Sequence, residues 1–334
     1  MRNRVYMKKK KRATLVPLFF ILMIMTMFVG VFYAVGYSWR VISALNKTEY
    51  ISRTEPFNIN ERMNILLLAV DAPTLQEPSR SDTIKVISLE PDGPSMSMMT
   101  IPRDSYVVPA GFDRSRSDNW VKINAINNTL VNPRHFGTDK LVETVGDLLG
   151  IDIDGYVKIN YKGFIDVIDS MGGIDFYVDY PMDYVDSVDG YEIHLKKGLQ
   201  HLDGESALQY VRFRSGPGAD WASYNGKVIG RSARQTKFIK AVIKELAKPS
   251  NWNKIPSAVE AVMSNVQTNI PVGQTFSFVE ILRKLDFNSI EDIPFPGVPS
   301  YVTIHDRILG EFNMSVVKVD FTELKDLGQE HFSD

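Results

Sequence analysis

Asn64–Val70 reads NILLLAV: one amide followed by six apolar residues in succession. A short, uninterrupted apolar run of this kind is the pattern of a buried central strand. The chain around it extends the same reading. Asp82–Leu89 (DTIKVISL) and Ser95–Ile101 (SMSMMTI) flank the turn signal Pro91-Asp92-Gly93-Pro94 and predict a hairpin. Thr138–Leu149 carries Leu141, Val145, Leu148 and Leu149 at helical spacing and is closed by Gly150. Gly155–Ile159 reads as a strand, Tyr161–Met171 as a helix, and Gly172-Gly173 turns into a strand over Ile174–Val178. A short helix over Glu205–Val211 leads into Arg212–Arg214. The clearest helix is Arg231–Lys248, with Phe238, Val242, Ile243 and Leu246 as its apolar stripe and Pro249 after its end. Helical stretches near Ile255–Val266 and Phe276–Leu285 precede what reads as a tail of short strands. Strands alternating with helices predict an α/β fold, a central mixed β-sheet flanked by helices, with some antiparallel pairing.

Before this body comes a segment of different character. Leu15–Tyr37 holds 23 residues without a charge, a span of roughly 34 Å as a helix against a hydrocarbon core of about 30 Å. Tyr33, Tyr37 and Trp39 sit at its far end, as interfacial aromatics do. Ahead of it, Arg2, Arg4, Lys8, Lys9, Lys10, Lys11 and Arg12 stand without an acid among them. That basic tail belongs on the cytoplasmic side, so the sequence predicts a single N-terminal transmembrane helix with the body outside the cell. A cleaved signal peptide fits less well, because the run is too long and no A-x-A site follows. The expected organisation is a cytoplasmic tail (1–14), a membrane anchor (15–37), a stalk (38–60) and one extracytoplasmic domain (61–334).

The composition restricts function further. A chain of 334 residues, 44% hydrophobic and 23% charged, is a folded protein of one or two domains. Without cysteine there is no disulfide scaffold, thiolate metal site or cysteine nucleophile. Removing the seven tail bases from 38 basic against 40 acidic residues leaves the remainder at −9, which argues against nucleic acid as a partner. The basic tail also suits contact with anionic membrane lipid. No G-x-S-x-G elbow, G-x-x-x-x-G-K-[ST] loop or H-E-x-x-H helix occurs.

What the sequence offers is arginine beside carboxylate at predicted strand ends. Asp71 closes the first strand, Arg80-Ser81-Asp82 opens the next, and Pro102-Arg103-Asp104 ends the third. Arg212-Phe213-Arg214 alternates, so both guanidinium groups leave one side of an extended segment. Arg231, Arg234 and Gln235 open the long helix, with Arg231 and Gln235 four apart on one face near an N-terminus that favours anions. Guanidinium groups grip phosphate oxygens bidentately, and two carboxylates among them suit a hard divalent cation, so Mg²⁺ at Asp71 and Asp82 fits. The same neighbours also read as surface salt bridges, and spacing alone does not choose.

The order of these clusters resembles the LytR-CpsA-Psr family. Asp71, Arg80-Ser81-Asp82-Thr83, Ile101-Pro102-Arg103-Asp104, Lys122-Ile123-Asn124, Gly172-Gly173-Ile174, Asp203-Gly204…Ala207-Leu208, Val211–Arg214 and Gly230-Arg231…Arg234-Gln235 carry the resemblance over roughly 61–320. It implies a transferase that moves a glycopolymer from a polyprenyl pyrophosphate carrier to peptidoglycan and leaves a phosphodiester link. By similarity Arg80, Arg103, Arg212, Arg214, Arg231 and Gln235 hold the pyrophosphate, Asp71 and Asp82 bind Mg²⁺, and a deep apolar groove takes the isoprenoid. Asp71 or Asp104 could serve as general base, with Asp104 otherwise orienting Arg103, while Lys122 and Asn124 tie their loop to the site. With water as acceptor the same site would be a hydrolase, and a non-enzymatic wall-binding or regulatory protein is the third reading. One departure stands out: Ser215–Ile229 is a long insert with Lys227-Val228-Ile229 before Gly230, where the family has an Asp, and with Asp220, Trp221 and Tyr224 inside it.

Overall fold

The computed structural model describes residues 61–333 apart from 91–94, 129–135, 187–189, 215–222, 225–226, 229, 252–264, 271–280, 282–283, 288 and 307–309. The expected anchor, its tail and the stalk lie outside the described residues, as do the turn at 91–94 and most of the helix expected near Ile255–Val266. Among the described residues no helix is long and apolar enough to cross a membrane.

The strands, in chain order, are β1 Met63–Val70, β2 Ser81–Glu90, β3 Ser95–Thr100, β4 Tyr106–Val107, β5 Val121–Lys122, β6 Gly155–Asn160, β7 Ile174–Val178 and β8 Met182–Val185. They continue as β9 Glu192–Leu195, β10 Gly198–Leu202, β11 Ser223–Tyr224, β12 Lys227–Val228, β13 Val266–Thr268, β14 Ile290–Ile293, β15 Gly297–Asp306 and β16 Gly310–Val319. Between them lie helices α1 Thr138–Leu149, α2 Tyr161–Ser170, α3 Gly204–Arg212, α4 Arg231–Leu246 and α5 Phe321–Phe332.

Six strands form the central sheet in the order β13-β6-β1-β2-β3-β14. β1 runs parallel to β6 and antiparallel to β2, β2 is antiparallel to β3, and β3 is parallel to β14. The expected mixed sheet is therefore present, and NILLLAV lies inside it. Side chains alternate across a strand, and on β1 Leu66, Leu68 and Val70 are wholly buried. Leu66 and Leu68, together with Ile84, Val86, Met99 and Tyr156, pack against Leu141, Val145 and Leu148 of α1 and Leu324 and Phe332 of α5. Each such aliphatic side chain contributes about 2 kcal/mol on burial. Leu67 and Ala69, facing the other way, are only half-buried and line a cavity.

Over that second face lie α2, α3 and α4. Phe164, Phe176, Tyr210 and Phe238 form an aromatic knot, with Phe176 and Phe238 rings 5.2 Å apart and Phe176 and Tyr210 4.8 Å apart. The Asp203-Gly204-x-x-Ala207-Leu208 motif explains itself in this packing. The Asp203 carboxylate caps α3 by accepting from Ser206 N at 2.8 Å. A Cβ on Gly204 would stand 2.5 Å from the Ile165 carbonyl of α2, so only glycine lets the helices approach this closely, and Ala207 and Leu208 are buried beneath.

The C-terminal end departs from the expected tail of short strands. β15 and β16 are ten-residue partners in one antiparallel hairpin, followed by a twelve-residue helix. Val266, assigned to a helix from sequence, begins β13 and pairs with Ile159.

Candidate functional site

The site begins at an irregularity in the sheet. Ala69 pairs with Thr83 but Val70 pairs with Ser81, so Asp82 has no opposite number on β1. Such a bulge bends its strand and redirects a side chain. Here it delivers Asp82 to the wall shared by two adjoining cavities. Its carboxylate accepts from Arg103 Nη1 at 2.5 Å. Arg103 stands in the turn after β3, with its Nε 3.7 Å from the Asp104 carboxylate, which also binds Lys122 Nζ at 2.7 Å. Asn124 N donates to the Arg103 carbonyl at 3.2 Å, and Val317 N to that of Asp104 at 2.9 Å. Lys122 and Asn124 therefore fasten the Arg103 loop, the role expected of them.

The larger cavity encloses about 240 Å³. Its floor is the half-buried face of the sheet, Leu67, Ala69 and Ile159, and its walls are apolar side chains of α2, α3 and α4, among them Phe164, Leu208 and Val242. At one end it turns polar, where Asp82, Arg212, Arg214, Arg231 and Gln235 gather. The smaller cavity, about 40 Å³, continues from that polar end through Asp82, Thr83, Arg231 and Gln235 to Thr100, Arg103 and Asp104. An apolar chamber with an arginine-lined mouth is the combined result.

Each arginine is held differently. The Arg212 guanidinium lies between two rings, 4.6 Å from the centroid of Tyr161 and 4.1 Å from that of Tyr191, a cation–π sandwich that fixes its plane. Burial pushes both phenols up to about 12, so they stay neutral; for Tyr161 the charges of Arg212, Asp71, Asp82 and Arg214 act in addition. Arg212 is the last residue of α3 rather than part of an extended segment, yet it and Arg214 line the same cavity while Phe213 between them is buried among apolar neighbours. Arg231, at 8% exposure, begins α4 and reaches both cavities. Arg234, at 2%, points away to the Phe213 carbonyl and the Tyr180 hydroxyl and so braces the Arg212–Arg214 segment.

Of the residues singled out from sequence, Asp82, Arg103, Asp104, Arg212, Arg214, Arg231 and Gln235 line this double cavity. Asp71 and Arg80 are exposed, flank the loop between β1 and β2, and line neither chamber. Asp71 is nonetheless near enough for its charge to act on Tyr161. Tyr161 and Tyr191 are site residues the sequence reading passed over; the signal for Tyr161 was its position at a strand-to-helix junction after Asn160, which caps α2 through Gly163 N at 2.8 Å. In the insert, the backbones of Ser223–Tyr224 and Lys227–Val228 pair antiparallel, while Asp220 and Trp221 lie outside the described residues.

For a divalent cation the donor set is suitable. Asp71 and Asp82 are hard oxygen donors whose charges both act on Tyr161, and Mg²⁺ commonly takes one or two carboxylates and leaves its other positions to water and phosphate. Among the described residues no group of three or more acidic or histidine side chains forms an all-protein metal cage, so a cation here would need substrate oxygens.

Fold and cavity together define an α/β domain whose second sheet face carries an apolar chamber lined at its polar end by arginines and a carboxylate. Residues 35–329 match the LytR_cpsA_psr family model, and the chain belongs to that family. It is 33% identical over 293 residues to the polyisoprenyl-teichoic acid–peptidoglycan teichoic acid transferase TagV of Bacillus subtilis (strain 168), covering 86% of this chain and 68% of the relative. The corresponding enzyme TagU of Bacillus anthracis is 33% identical over 253 residues, 75% of this chain and 73% of its own. The crystal structure of B. subtilis TagV superposes with a TM-score of 0.64 at 30% identity, over 82% of this chain and 98% of that one.

Proposed function

We propose that this protein transfers an anionic glycopolymer of the teichoic acid type from a polyprenyl pyrophosphate carrier to peptidoglycan, leaving a phosphodiester link. The observation that carries the reading is the apolar cavity ending in Asp82, Arg212, Arg214, Arg231 and Gln235. The isoprenoid occupies the apolar chamber and the pyrophosphate lies among the arginines. A hydroxyl of the wall sugar attacks the phosphorus nearer the polymer; the bond from that phosphorus to the bridging oxygen breaks, and polyprenyl phosphate leaves with the electron pair. Such a displacement requires in-line positioning and charge neutralisation more than covalent help. Arg103, Arg212, Arg214 and Arg231 supply fixed positive charge, and Gln235 a neutral donor. Asp104, engaged by Lys122 and close to Arg103, orients that arginine. Asp71, exposed beyond β1, is the remaining carboxylate to receive the hydroxyl proton, a role it would fill only while it is not ligating a metal ion. Mg²⁺ held by Asp71 and Asp82 would supply additional neutralisation of the phosphate oxygens.

The protein acts, on this reading, as a single-pass membrane protein with a cytoplasmic N-terminus, anchored by Leu15–Tyr37 beside the bilayer that carries its donor. Two results test the chemistry. Transfer of labelled polymer to peptidoglycan is expected to stop in EDTA and return with Mg²⁺; full activity in EDTA removes the metal assignment. Label released as free sugar phosphate instead of appearing on the wall identifies a hydrolase.

A further inference from the structure

Beneath the seam between the two chambers lies a lysine that the transfer chemistry does not use. Lys85 sits on β2 opposite Leu67, which lines the apolar chamber, and opposite Thr100, which lines the polar one. It is wholly buried. Its Nζ donates to the Thr236 hydroxyl of α4 at 2.8 Å and also to the Thr100 hydroxyl of β3. Thr236 is itself buried, immediately follows Gln235, and lies 3.4 Å from the Asp292 carboxylate of β14. An apolar side chain at 85 would fill this floor without the cost of desolvating an ammonium. The lysine instead supplies one directional bond to the helix bearing Arg231 and Gln235, through Thr236, while its bond to Thr100 anchors it within the sheet.

We propose that Lys85 is a positioning residue for the anionic end of the substrate: through Thr100 and Thr236 it fixes the first turns of α4 over the sheet and so aims Arg231 and Gln235 into the mouth. The inference rests on the transferase reading and adds a residue that touches no substrate. It assigns Lys85 an effect on the head group and none on the tail, because the tail meets Leu67 and the apolar walls.

The test uses the full-length chain in detergent and two probes with one tail: geranylgeranyl pyrophosphate with Mg²⁺, and geranylgeraniol, which lacks the phosphates. Lys85→Met is expected to weaken pyrophosphate binding at least tenfold, change alcohol binding less than twofold, and leave the melting temperature equal or higher. Thr236→Val removes the acceptor without touching the charge; it should reproduce the selective loss, and the double variant should lose no more than the worse single one. If Lys85→Met does not fold, Thr236→Val alone decides. Unchanged pyrophosphate binding, or equal weakening of both probes, overturns the positioning role. So does a wild-type-like Thr236→Val, since the tether runs through that hydroxyl. A wild-type protein that fails to prefer the pyrophosphate overturns the transferase reading itself, whereas a clear preference unaffected by either variant overturns only the role of Lys85.

Discussion

Arg103 is the residue on which most of the site's geometry converges. It neutralises Asp82 at 2.5 Å, while Asp104, tied to Lys122, steadies it from behind. Removing a fixed cation that faces developing phosphate charge costs about a hundredfold or more in turnover. Arg103→Ala should therefore lose at least that much transfer activity with an intact circular dichroism spectrum; near-normal turnover would remove Arg103 from the site. Tyr161 acts at one remove by fixing the plane of Arg212. Cation–π contacts contribute about 0.5–2 kcal/mol, so Tyr161→Leu should weaken pyrophosphate-lipid binding by about 2- to 30-fold in a titration. Lys85 makes a prediction about stability. Burial, offset by Asp292 and reinforced by Lys240, lowers its ionisation from 10.5 to about 8. Between those values the unfolded chain binds more protons than the folded one, so stability rises with pH across that window. Urea midpoints of the wild type should climb relative to Lys85→Met from pH 8 to 10, and parallel curves would contradict the assignment. Asp82, Arg103, Asp104, Arg212, Arg214 and Arg231, which line the double cavity, were legible in the sequence because guanidinium beside carboxylate at strand ends is chemically distinctive, whereas Asp71 and Arg80, read with them, line neither chamber. Tyr161 and Lys85 were not legible, since an aromatic at a helix start reads as core and a lone lysine in a strand as solvent-facing.

At the scale of elements, the strands β1 to β3 and helices α1, α3 and α4 followed from apolar runs, caps and stripes close to their observed bounds. The failure at the C-terminus has a physical cause. Asp320 caps α5 by accepting from Thr322 N and Glu323 N, each at 3.1 Å, and Leu324 and Phe332 are wholly buried. Gly328 interrupts the pattern, and glycine inside a helix weakens it when read alone. Its presence answers a tertiary need: a Cβ there would stand 2.0 Å from the Leu149 carbonyl at the end of α1. The bulge at Asp82 was equally hidden, because pairing register is a property of two strands and not of one. Overpacking at a close backbone contact costs about 1–3 kcal/mol. Gly328→Ala and Gly204→Ala should each lower stability by that amount in chemical denaturation, although helix propensity alone predicts a gain of roughly 1 kcal/mol for such changes. Stabilisation would show that these helices are not in such close contact.

For the whole molecule, one arrangement relates the sequence to the chemistry. The sheet offers one face to a closed core against α1 and α5 and the other to a chamber roofed by α2, α3 and α4, with the polar groups at one end. On the proposed reading the donor is lipid-borne, and the uncharged Leu15–Tyr37 with its basic tail would hold the domain at the membrane. Intact cells treated with protease should lose the body of the protein while the N-terminal tail survives; protection of the body would reverse the orientation. Full-length protein with Mg²⁺, a polyprenyl pyrophosphate carrying labelled glycan, and uncrosslinked peptidoglycan should yield label covalently on the peptidoglycan, and Arg103→Ala should yield none. Label that stays on the lipid with every donor tried, or reaches the wall equally well with Arg103→Ala, would contradict the account.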